Sequence, residues 1–247
     1  MIDHVTLRVA DLDAARRFYG ASFELLGFPG EPTAGGGLVE WEGFSIAQES
    51  AERRATRRLH VGFWAESPAV VDAWWRALTA AGCQSDGKPG PRPQYGPDYY
   101  GAFVLDPAGN SAEAVHDRPR RQPGVIDHLW LRVRSLEDAT RFYETVCPTV
   151  DHTVERLPDR TQIRGSGATF AVIEGPPTEN VHLAFAAPDK STVDAFHQAG
   201  IHAGYRSNGA PGARPEYHAG YYAAFLTDPD LHNVEAVFHD RSNCACR

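Results

Sequence analysis

Two histidines and a glutamate recur at nearly constant spacing in the two halves of this 247-residue chain. His4, His60 and Glu113 lie 56 and 53 positions apart, and His128, His182 and Glu235 lie 54 and 53 apart. Two imidazoles and one carboxylate on a rigid scaffold suit a borderline divalent metal ion and leave coordination positions open for substrate or dioxygen. Fe2+, Zn2+, Mn2+ and Ni2+ all satisfy that donor set. A lone histidine on a strand is ordinarily a half-buried residue with a satisfied hydrogen bond. The recurrence is what favours metal binding, although common descent can also copy residues that have no task.

Other residues are candidates to move protons or line a pocket. Glu174 aligns with Gln48 at a strand end, and a carboxylate there can serve as a fourth ligand or general base, which an amide cannot. Tyr95, Tyr99 and Tyr100 recur as Tyr217, Tyr221 and Tyr222. Adjacent strand residues face opposite ways, so one of each Tyr-Tyr pair points into a pocket, and Tyr100 and Tyr222 are taken as the catalytic members. His218, opposite Gly96, would act as acid or base in the second copy alone. Trp74 and Trp75 fit a helix core, and Asp106-Pro107 and Asp228-Pro229 fit turns. Gly35-Gly36-Gly37 lacks the setting of a phosphate loop.

The elements that must position these groups are themselves duplicated. Ile2-Asp3-His4-Val5 matches Ile126-Asp127-His128-Leu129, and Arg17-Phe18-Tyr19 matches Arg141-Phe142-Tyr143. Leu59-His60-Val61 matches Val181-His182-Leu183, and Tyr99-Tyr100-Gly101-Ala102-Phe103 matches Tyr221-Tyr222-Ala223-Ala224-Phe225. Each copy divides again. Val5 to Val9 alternates as a half-buried strand, and a helix follows from about Leu12 to Leu26, capped by Asp11. Ser135 caps its counterpart, with Asp138 placed as in a capping box. Strands are expected around 37–41 and 44–48. The pattern restarts with a strand at 59–64 and a helix capped by Ser67 with Pro68 in its first turn; Asp189 takes the place of Ser67. A Gly/Pro-rich loop and strands near 100–106 and 112–115 complete the copy. The fold class is therefore α+β, with strand, helix and strands performed four times.

Boundaries follow at 1–117, a proline-rich linker at 118–124, 125–240, and a tail at 241–247. The net charge of −8 argues against nucleic acid, and the cluster Arg118, Arg120, Arg121 reads as solvated linker. No apolar run approaches a membrane span, and the chain opens directly on a strand pattern, so the cytoplasm is expected. Cys83, Cys147, Cys244 and Cys246 do not match between halves, which argues against a disulfide framework. Fusion replaces dimerisation by an intramolecular contact, so a monomer with pseudo-dimeric halves is expected.

These residues, with the run from Tyr99 through Asp106-Pro107-Ala108-Gly109-Asn110 to Glu113, resemble the vicinal oxygen chelate superfamily of glyoxalase I, bleomycin- and fosfomycin-resistance proteins and extradiol dioxygenases. The resemblance covers nearly the whole chain. It implies paired βαβββ units whose mixed sheets curl into cups with flanking helices. It makes His4, His60, Glu113, His128, His182 and Glu235 the metal ligands, with Gln48 and Glu174 near the extra ligand of glyoxalase-type members. Sites within one half and sites shared between halves both occur in the superfamily, and both stay open here. Phe103 and Phe225 stand where extradiol dioxygenases carry tyrosine, against catechol cleavage, and Leu231 replaces Gly109. The implied function is a metalloenzyme that chelates vicinal oxygens of a small oxygenated metabolite, by dioxygenase, isomerase or lyase chemistry. The alternative is a metal-free protein that sequesters a small molecule such as an antibiotic. In a third account one copy is catalytic and the other structural.

Overall fold

The computed structural model describes residues 2–28, 30–117 and 124–241. The arginine cluster at 118–121 and the Cys244/Cys246 tail lie outside the described residues, and the division at 118–124 rests on the sequence repeat.

Four units follow one another. The first holds β1 (Ile2–Val9), α1 (Leu12–Leu25), β2 (Thr33–Gly35), β3 (Leu38–Trp41) and β4 (Phe44–Gln48). The second holds β5 (His60–Trp64), α2 (Pro68–Ala80), β6 (Ser85–Pro91), β7 (Tyr100–Leu105) and β8 (Ser111–His116). The third holds β9 (Ile126–Val133), α3 (Leu136–Val146), a 3-10 turn (Cys147–Val150), β10 (Thr153–Arg156), β11 (Thr161–Arg164) and β12 (Thr169–Glu174). The fourth holds β13 (His182–Ala186), α4 (Lys190–His202), β14 (Arg206–Ala213), β15 (Tyr221–Thr227) and β16 (Asn233–His239).

The helices begin where the side chains dictate. Asp11, Ser67, Ser135 and Asp189 each accept a bond from the backbone amide three residues on, filling one of the free N–H groups of the first turn. The Ser135 cap is half a capping box, because the Asp138 carboxylate turns to Arg141. The Gly/Pro-rich stretch after Gly82, expected as loop, contains β6, and its counterpart contains β14. Both are edge strands whose register with β7 and β15 shifts twice. An edge tolerates Pro89 and Pro211 because one side of the strand needs no ladder donors.

The units pair across the halves into two open eight-stranded sheets. One runs β14-β15-β16-β13-β1-β4-β3-β2 and the other β10-β11-β12-β9-β5-β8-β7-β6. The first unit thus shares a sheet with the fourth, and the second with the third. The joints are antiparallel pairs of leading strands, β1 with β13 and β5 with β9. Alternation gives each sheet two characters. Val5, Leu7 and Val9 face the core, where Tyr19, Phe23, Phe44 and Phe63 pack at 4.6–6.2 Å between ring centroids. Burial of each such ring is worth roughly 1.5–3 kcal/mol. His4, Thr6 and Arg8 occupy the opposite face.

The Asp-Pro turns tie helices to this frame. Asp106 accepts from the amides of Ala108 and Asn110 and from the Tyr19 hydroxyl, all at 2.8 Å. Asp228 repeats this with Asp230, His232 and Tyr143. Leu231 keeps the turn of Gly109 by adopting φ 70°, a left-handed conformation that costs a residue with a β-carbon about 1–2 kcal/mol.

Candidate metal centres

Pairing across the halves regroups the six candidate ligands. His4 on β1 meets His182 on β13 and Glu235 on β16. His60 on β5 meets Glu113 on β8 and His128 on β9. Each group thus joins a histidine of one half to a histidine and glutamate of the other. The register requires it: Thr6 lies opposite His182 and Ala184 opposite both His4 and Glu235.

The second centre is a nearly equilateral triangle. His60 Nε2 lies 3.0 Å from Glu113 Oε2 and 3.1 Å from His128 Nε2, and His128 Nε2 lies 3.2 Å from the same Oε2. At the first centre the His182 Nε2–Glu235 Oε2 and His4 Nε2–His182 Nε2 separations are 2.9 and 3.0 Å, and the third side is 3.6 Å. Donors bound at right angles about 2.1 Å from a first-row ion stand about 3.0 Å apart, so the residues fit such an ion. A shared proton, by contrast, bridges only one side of a triangle at a time.

The outer atoms of the ligands are held as well. His128 Nδ1 donates to Asp127 at 2.9 Å and His4 Nδ1 to Asp3 at 2.8 Å. A proton committed to Nδ1 frees the Nε2 lone pair for the centre. Tyr99 donates to Glu113 Oε1 at 2.8 Å and Tyr221 to Glu235 Oε1 at 2.7 Å, which turns each Oε2 toward the histidines. Burial and then the adjoining carboxylate raise both phenol pKa values, so these tyrosines stay donors.

Electrostatics differ among the ligands. Burial opposes charge on Glu113, yet hydrogen bonds from His128 and His60 outweigh it and hold the carboxyl down at about 2. Burial also opposes an imidazolium at His128, but Asp127 and Glu113 prevail and lift it to about 10. For His60 and His182 burial wins and lowers the pKa. His4 is raised: burial is overcome by Asp3 and Glu235, with a smaller contribution from Glu40.

The structure does not bring the other sequence candidates to the triangles. Tyr100 and Tyr222 bond Asp72 and Asp194 on α2 and α4, on the helix side of each sheet. Tyr99 and Tyr221 are the inward members. Glu174 is exposed, pairs with Val133 at the strand end remote from His128, and accepts from the Leu136 amide at the start of α3. Gln48 bonds the Ala10 carbonyl. His218 is exposed and reaches the first centre only indirectly, by way of His239 and Asp3.

Sequence reasoning missed Glu40. It pairs with Ser45, and Ser45 with Thr6, so all three share the face of His4. The equivalent position opposite Ala171 is Gln162. The signal was available as strand parity, counted from the paired position rather than from the strand end. Arg8 and Arg132 share that face too, and their charges disfavour protonation of His182 and His60.

The profile of the glyoxalase/bleomycin resistance protein/dioxygenase superfamily matches residues 1–114. Among curated proteins, none matches this chain in sequence. The fold is similar to that of glyoxalase I from Zea mays, at 17% identity and TM-score 0.67 over 96% of this chain and 92% of that one. A V278E mutant of the maize protein gives 18% identity and TM-score 0.69, again over 96% and 92%. A Bacillus subtilis protein proposed to be a dioxygenase aligns at 13% identity and TM-score 0.66, over 97% and 85%. At these identities the likeness shows the fold alone. Residues 1–114 belong to the glyoxalase/bleomycin resistance protein/dioxygenase superfamily, and the second half of the chain repeats the same fold.

Proposed function

We propose that this chain is a metal-dependent enzyme with two centres, each built across the halves, that acts on a small oxygenated metabolite by chelating two vicinal oxygens. The observation that carries the reading is the pair of triangles of roughly 3 Å side, each with its imidazoles and carboxylate oriented from behind. His4, His182 and Glu235 would hold one ion, and His60, His128 and Glu113 the other. A bound divalent ion supplies Lewis acidity to substrate oxygens at the positions these three donors leave open.

The chain's own residues do the remainder. Arg8 and Arg132 share the sheet face of the centres, where their charges act on His182 and His60, and they favour a substrate that is anionic or becomes so. Tyr99 and Tyr221 keep the glutamates from rotating. Glu40 is the carboxylate left to move a proton at the first centre. Gln162, which donates to the Phe170 carbonyl, cannot do so at the second. The match of residues 1–114 to the glyoxalase/bleomycin resistance protein/dioxygenase superfamily makes glyoxalase and dioxygenase activities the first to assay.

The test is stability with and without metal. An ion held at a thousand times its dissociation constant stabilises the fold by about 4 kcal/mol. Chelator treatment should therefore lower the unfolding midpoint, and stoichiometric Mn2+ or Zn2+ should restore it. Metal-free and metal-treated protein unfolding at the same midpoint would contradict the proposal.

A further inference from the structure

The two centres have the same ligand types but not the same residues behind them. At the second centre, His60 Nδ1 lies 3.2 Å from Ser111 Oγ, and Ser111 lies 2.7 Å from Asp86. The carboxylate can only accept, so the serine proton points to Asp86 and Ser111 must accept from His60. That chain fixes the His60 proton on Nδ1 and leaves Nε2 bare for an ion. Asp127 holds the Nδ1 proton of His128 in the same way, so the proton an ion displaces there is the one on Nε2. Asp117, which acts on Tyr99 together with Asp127, adds another carboxylate nearby.

At the first centre the equivalents of Ser111 and Asp86 are Asn233 and Asn208. The Asn233 amide nitrogen faces His182 Nδ1 at 2.7 Å, while its oxygen accepts from Asn208 at 2.8 Å. An amide nitrogen only donates, so in this arrangement the His182 proton sits on Nε2, the atom that must hold the ion. Binding there requires both amides to turn over. His4 has its carboxylate, Asp3, but Asp3 is shared with His239 at 3.1 Å. His239 Nδ1 in turn meets His218 Nε2 at 2.8 Å, and His218 Nδ1 meets the Ala219 carbonyl at 2.7 Å. In the other half, Gly96 and Asp117 replace His218 and His239. Glu40 joins Asp3 and Glu235 at the first centre, but the second has four carboxylates, Glu113, Asp127, Asp86 and Asp117, and is the more negative.

We infer that the two centres differ in metal affinity, and that the His60–Glu113–His128 centre fills first. This rests on the metal-binding reading above. Carboxylates behind ligating histidines set tautomer and basicity, and losing one typically costs 10–100-fold in affinity.

The experiment titrates the full-length, metal-free chain with Zn2+ in competition with a chromophoric chelator. Two binding steps at least about tenfold apart are expected. Glu113→Gln should abolish the tighter step and Glu235→Gln the weaker. Asp86→Asn should weaken the tighter step by about 10–100-fold. The graft Asn233→Ser with Asn208→Asp should tighten the weaker step, a gain that a misfolded variant would not give. Two equal steps, the reverse assignment, or no response to Asp86→Asn would overturn the inference while leaving metal binding intact. No Zn2+ binding at all would overturn the metal reading itself.

Discussion

His4→Ala and His182→Ala should each leave the chain with one bound metal ion where the parent is expected to hold two, and both should lose the same ion. His60→Ala and His128→Ala lose the other. The expected result follows from the joints of the sheets. Antiparallel pairing of β1 with β13 and β5 with β9 puts a histidine of one half beside a histidine and glutamate of the other. Removing one donor of three should weaken binding beyond the roughly 100-fold that loss of a supporting partner can reach. The double variant His4→Ala/His182→Ala should therefore still hold one ion, whereas His4→Ala/His60→Ala should hold none. Metal content after gel filtration reads this directly. A His4→Ala/His60→Ala protein that kept one full equivalent would place each site within a single half.

The second large effect is on pH. In the metal-free protein His128 carries a proton up to about pH 10, Glu113 loses its proton near 2, and His60 is held neutral by burial. An ion entering this centre must displace the His128 proton, so about one proton leaves per ion at neutral pH. Affinity should rise about tenfold per pH unit below the His128 value, as expected when one proton competes. Calorimetric titration in buffers of different ionisation enthalpy measures the proton count, and an observed enthalpy independent of the buffer would count against it. The metal-free fold shows the opposite trend. A folded-state pKa raised from 6.5 to about 10 contributes stability that is complete below about 6.5 and lost as pH rises through about 10.

The fold was legible in the sequence because it is written four times. Each unit carries its own start signals, and the caps at Asp11, Ser67, Ser135 and Asp189 lie where sequence places them. The strands β6 and β14 were not legible, since a Gly/Pro-rich stretch has no alternation to read and is held as an edge by its neighbour. The six ligand candidates emerged from residue type and recurrence, but their grouping did not. Which histidine meets which depends on pairing between distant strands, and a spacing of 56 residues carries no information about that.

Choosing between Tyr99 and Tyr100 was a question of parity. Tyr99, Gly101 and Phe103 share a face, and Phe103 pairs with Glu113. A β-carbon on Gly101 would run into the Glu113 carboxylate, just as one on Gly62 would run into the His128 ring. Glycines at these two strand positions make room for the site, and the tyrosine that shares the parity of Gly101 faces it. Glu174 and Gln48 were chosen from the end of the strand, and the twofold alternation of side chains turns both away. The members that set the two centres apart, Asp86, Ser111, Asn208 and Asn233, were silent in sequence, because their meaning comes only from the histidine nitrogen each pair stands behind.

The proposed chemistry requires an ion inside each triangle of donors. Diffraction from crystals grown with Mn2+, collected where manganese scatters anomalously, tests this most directly. The expected map has two strong peaks, one among His60, Glu113 and His128 and one among His4, His182 and Glu235, the former at higher occupancy when Mn2+ is limiting. Peaks elsewhere on the surface, with both triangles closed by hydrogen bonds alone in saturating Mn2+, would contradict it.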